Sequence, residues 1–210
     1  MSELIKALRN FITRDLLYVV GGTSVIAAFL YLFDRLPDSD PPIEVSLFVA
    51  GIGYVVGYAI QDGLSLTRIV NTEYLQRPPW WVRKLYRVNT GHEWSVSVNV
   101  DVATAMMVVV EKSPPRVLAE LNRIITLKHV GTTMGSSGLV ASVMLIVRAA
   151  MRDDQFDTAL AAGCSIMTIV LILLAWLQSA HQTAMTMALY ERYVDYEASG
   201  SQPSAATESD

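Results

Sequence analysis

The amino-acid sequence predicts an all-α integral membrane protein with four transmembrane helices and a cytoplasmic insert between the second and the third. Three observations carry this prediction. Long charge-free intervals alternate with charged stretches, as in a chain that passes repeatedly between hydrocarbon and water. Apolar residues make up 52% of the 210 residues and charged residues only 17%, against roughly 25% in a soluble domain. Of the 16 Lys and Arg residues, all but Arg35, Arg148 and Arg152 fall on one side of the implied topology.

The first span is residues 16–33, without a charge and preceded by Lys6, Arg9 and Arg14. It ends Phe29-Leu30-Tyr31-Leu32-Phe33 with no small-residue cleavage site, so it reads as an uncleaved span rather than a secretory signal. The second span is 45–61 and the third 130–147, both uncharged and both rich in Gly, Ser and Thr, which makes them the more marginal pair. The fourth begins at Thr158 and meets no charge until Glu191. Eighteen helical residues measure about 27 Å, close to a hydrocarbon core of about 30 Å. A helix satisfies its own backbone polar groups, which hydrocarbon demands.

Orientation follows from the basic residues in the flanks. The links between spans one and two, and between three and four, are short and acidic, with Asp34, Asp38, Asp40 and Glu44 in one and Asp153, Asp154 and Asp157 in the other. The expected organisation is a cytoplasmic segment 1–14, a transmembrane hairpin 15–62, a cytoplasmic insert 63–129, a second hairpin 130–190 and a disordered polar tail 191–210. Both termini are expected on the cytoplasmic face of a bacterial inner membrane.

The insert has three recognisable parts. Pro78-Pro79-Trp80-Trp81 followed by Arg83, Lys84 and Arg87 combines interfacial aromatics with cations, and reads as a short helix on the inner leaflet. The competing reading is a tryptophan pair packed against neighbouring helices. Residues 94–102 alternate, with Trp94, Val96, Val98, Val100 and Val102 separated by polar residues, which is a strand pattern. Residues 103–110 are apolar enough to be helix or strand. Residues 61–74 continue span two helically. After Ser113-Pro114-Pro115, Leu118, Leu121, Ile124 and Ile125 recur at helical spacing, predicting a stalk that runs into span three. Residues 158–190 as one helix would measure about 50 Å, so the end of span four should protrude from the membrane.

Catalytic signals are weak. His92, His129 and His181 show no metal-ligand spacing, and His92-Glu93 lacks the second histidine of a zinc-protease helix. No Gly-x-Ser-x-Gly frame and no phosphate-binding Gly-Lys-Ser or Gly-Lys-Thr is present. The single cysteine, Cys164, rules out an intrachain disulfide and reads as a small buried hydrophobe. No cofactor, metal or nucleic acid is expected. Asp15, Asp62 and Arg148 lie at span edges, within reach of headgroups, so the spans hold no internal charge of the kind relays and voltage sensors use.

The spans do carry small residues four apart: Gly53 and Gly57, Gly131 and Gly135, and Ala180, Ala184 and Ala188. This spacing lets helix backbones approach, within one bundle or between copies in a homo-oligomer. The layout, with Arg14-Asp15-Leu16-Leu17-Tyr18 opening the first span and four spans around a basic insert, resembles that of many small bacterial membrane proteins. That resemblance is one of layout and assigns no functional residue. The expectation is a non-enzymatic scaffold or sensor that presents its insert to a cytoplasmic protein or to other copies of itself. The alternatives are a homo-oligomeric ion channel lined by span two or three, and a small transporter or a lipid-acting enzyme using His92, Glu93 and Asp101.

Overall fold

The computed structural model describes residues 2–37, 42–65, 79–91, 93 and 102–198, and each regular element among them is an α-helix. In chain order these are α1 (Ser2–Leu32), α2 (Ile43–Ser65), α3 (Trp80–Thr90), α4 (Val102–Lys112), α5 (Pro115–Arg152) and α6 (Gln155–Ala198). Four of them, α1, α2, α5 and α6, are long and apolar enough to cross a membrane. At 1.5 Å per residue α5 measures about 57 Å and α6 about 66 Å, well beyond a bilayer core of about 30 Å.

Local chemistry sets the helix ends. α1 stops in a Schellman arrangement: Arg35 N–H reaches Leu30 O at 2.8 Å and Asp34 N–H reaches Tyr31 O at 3.2 Å. Asp34 takes the left-handed conformation that this motif needs, with φ 54°, and Pro37 bars any continuation. α5 and α6 form a hairpin joined by Asp153 and Asp154 alone. Asp153 turns the chain at φ 50°. Asp154 then caps α6, its Oδ1 accepting from Phe156 N–H at 3.1 Å. α3 starts behind Pro79 and ends at Gly91, whose φ of 74° lets its N–H cap the Arg87 carbonyl. α4 closes at Ser113, and the prolines that follow open the first turn of α5.

The chain divides into two compact units. The first comprises residues 1–72 and 126–176, the second residues 73–125 and 177–210. In the first, α1 and α2 pack through Tyr18, whose ring meets Tyr54 and Tyr58 edge to face at 5.7 and 5.6 Å. α2 leaves Leu47, Phe48, Ile52 and Val55 exposed, and α6 leaves Ile166, Met167, Ile169 and Val170 exposed. Half of the apolar window of α5 is buried, against 11% for α2, so α5 supplies much of the interior.

The second unit has an apolar interior of its own. Val102, Ala105 and Met187 form its centre with Tyr190 against them, and Val82, Val109, Leu121 and Ile124 are fully buried. Residues 103–110 are helical in α4, not a strand, because Val102, Ala105 and Val109 recur at three- and four-residue spacing on one buried face. The alternating stretch 94–101 lies outside the described residues. The helical continuation of span two is seen as far as Ser65, and residues 66–78 lie outside the described set.

Candidate functional site

The glycines picked out by spacing occupy close helix approaches in the first unit. A Cβ on Gly53 would stand 2.6 Å from Thr23 Cγ2 and 3.1 Å from the Val19 carbonyl. One on Gly57 would collide with the Tyr18 carbonyl, and one on Gly22 with that of Gly53. α1 and α2 therefore meet backbone to backbone. Gly131 faces α6 at Leu171 and Ala175, Gly135 faces Ile172, and Gly138 faces Thr168. The run 131–138 is mid-helix in α5. Ala180, in the second unit, is fully buried, Ala184 is half-buried and Ala188 is exposed.

Polar side chains line the interior of the first unit. Thr133 Oγ1 donates to Gln61 Oε1, joining α5 to α2. Ser142 contacts Cys164 Sγ at 3.3 Å and Thr168 Oγ1 at 3.2 Å, joining α5 to α6. The hydroxyls of Ser136 and Ser137 are buried without a hydrogen-bond partner.

Sequence reasoning placed Arg148 at a span edge, within reach of headgroups and water. The structure instead buries it: 6% of its side chain is exposed, and its Nε lies 3.1 and 3.2 Å from the two oxygens of Asp157, itself 2% exposed. Its Nη1 meets Asp34 Oδ1 at 3.0 Å and also donates to the Tyr31 carbonyl. The guanidinium stacks 3.7 Å from the centre of the Tyr31 ring, and the Tyr31 hydroxyl donates to Asp157 Oδ1 at 2.6 Å. Arg152 pairs with Asp34 at the rim. One buried cation thus ties together the end of α1, the end of α5 and the start of α6. A signal was present in the sequence. Arg148 lies five positions before Asp153 and Asp157 three after Asp154, so a tight hairpin brings a long basic side chain within reach of a short acidic one.

In the second unit α3 is amphipathic. Val82 and Tyr86 are buried, with the Tyr86 ring 6.0 Å from that of His181. Trp80, Arg83, Lys84 and Arg87 are exposed and Trp81 is half-buried, so Trp80 does not pack against neighbouring helices as one of a buried pair. Arg87 lies 3.1 Å from Glu93 in a solvent-exposed ion pair. Ser113 and Tyr193 share a hydrogen bond of 3.0 Å between α4 and α6. Among the described residues no group of His, Cys, Asp and Glu could hold a metal ion. His92 and Asp101 lie outside the described set.

Comparison with known proteins finds no matching family model, no matching curated protein and no matching solved structure.

Proposed function

We propose that the protein is a non-enzymatic four-span scaffold or sensor of a bacterial inner membrane, with both termini and residues 63–129 on the cytoplasmic side. The observation that carries this reading is the second compact unit. Its centre joins α4 to the last turns of α6, α3 and the first turns of α5 add further buried residues, and α5 and α6 are helices that also supply candidate spans. A folded module on membrane-anchored helices is suited to presenting a surface to a partner. α4 offers such a surface, since Met107 and Val110 are exposed on the side opposite Val102, Ala105 and Val109. The distribution of basic residues supports the assigned orientation.

The oligomeric-channel reading draws less support. Thr133 and Ser142 of span three hydrogen-bond within the chain, to Gln61 and Thr168, which favours packing of one bundle over a polar pore lining.

The test uses full-length protein, because Met187 of α6 completes the centre of the unit and a fragment limited to 63–129 would lack it. A photo-crosslinking residue at Met107 or Val110, activated in intact cells, should yield adducts with a second copy or with one cytoplasmic protein. Adducts to neither, at both positions, would overturn the reading.

A further inference from the structure

We infer that the exposed face of α3 binds the anionic phospholipid headgroups of the leaflet next to it, an inference that rests on the membrane reading above. The argument starts from the helix itself. Of its eleven residues three are cationic and none is acidic. Arg83, Lys84, Arg87 and Val88 stand three, four, seven and eight positions after Trp80, so the five share one side of the helix. All five are exposed, Trp80 at 69% and Val88 at 78%. The opposite side is already committed, since Val82 is fully buried and Tyr86 contacts His181. The helix therefore cannot turn over to bury its tryptophan in its own unit. It shows solvent an indole and a valine among three cations. A large amphipathic aromatic ring seeks the interfacial layer, and clustered Lys and Arg seek anionic lipid. Among the described residues Glu93 is held to Arg87 in an exposed pair, and such pairs are weak enough to exchange for a phosphate.

The experiment places a single cysteine at Val88 in a Cys164→Ala background, labels it with a polarity-sensitive fluorophore, and reconstitutes the full chain into nanodiscs. Discs of zwitterionic lipid are compared with discs containing one-third phosphatidylglycerol. The expected result is that anionic lipid shields the label from an aqueous quencher, and that high salt reverses the shielding. Arg83→Gln, Lys84→Gln and Arg87→Gln should each weaken the shielding equilibrium by about fivefold. These side chains are exposed, so the variants should fold normally. Quenching that is equal in both lipids, or shielding that survives the triple glutamine variant, would overturn the inference. Protein that fails to enter discs at all would instead overturn the membrane reading, so the two failures are distinguishable.

Discussion

Replacing Gly131 by alanine probes the packing of α5 on α6. A Cβ there would stand 2.7 Å from both the Ala175 nitrogen and the Leu171 carbonyl oxygen, and 2.8 Å from the Ala175 Cβ. Non-bonded heavy atoms sit best about 3.5–4.0 Å apart, so α6 would have to retreat by about 1 Å. Overpacking of this kind costs about 1–3 kcal/mol. The retreat would also loosen the contact of Gly135 with Ile172 and of Gly138 with Thr168, which lie along the same seam. Gly163→Ala is the matched control. Nothing lies within 4 Å of a Cβ built on Gly163, and removing a glycine from a helix interior gains about 1 kcal/mol of helix propensity. The two variants should therefore move stability in opposite directions and differ by about 2–4 kcal/mol. Unfolding of the purified protein in mixed micelles, titrated with a denaturing detergent and followed by circular dichroism, measures the difference. The reasoning fails if Gly131→Ala proves as stable as Gly163→Ala.

Other outcomes follow from the same contacts. Arg148→Ala strips its partner from a buried Asp157, so it should lower stability more than Gly131→Ala does, whereas Arg148→Met paired with Asp157→Leu should recover much of the loss; thermal unfolding in detergent reads both. Ser136→Ala removes a buried hydroxyl that lacks a partner and should be neutral or stabilising, while Thr133→Val breaks the bond to Gln61 and should cost about 1 kcal/mol in the same assay. Val55→Arg puts a charge on the exposed apolar face of α2 and should reduce insertion of that helix by about 2.5–3.5 kcal/mol, measured by glycosylation mapping during translation.

The four apolar helices were legible because charge-free intervals of the right length leave a local trace in sequence. So was the start of α3, where a proline pair precedes Trp80. Three features were not legible, each for a physical reason. Four-residue spacing singled out Gly53 and Gly57 but not the helix they meet, which is α1, while nothing stands within 4 Å of a Cβ on Gly51. Which face of a helix has a neighbour is a tertiary property. Arg148 was read as solvated because a charge at a span edge ordinarily reaches water, and its acidic partner becomes visible only once the hairpin turn is known to be two residues long. The composition of the second unit was hidden too. It pairs α4 with turns of α6 some eighty residues later, through contacts such as Ser113 with Tyr193; residues 177–190 had shown only as the protruding end of a long span and 191–198 as part of a disordered tail, whereas α6 continues to Ala198.

Topology tests the account most directly. Single cysteines at Ser2, Leu36, Glu93, Asp154 and Ser201, each in a Cys164→Ala background, can be challenged with a membrane-impermeant maleimide before and after the membrane is breached. Cysteines at 36 and 154 should label in intact spheroplasts, and those at 2, 93 and 201 only after lysis. Labelling of 36 or 154 from the same side as the termini, or recovery of the chain from the soluble fraction without detergent, would contradict a four-span protein that holds its folded unit in the cytoplasm.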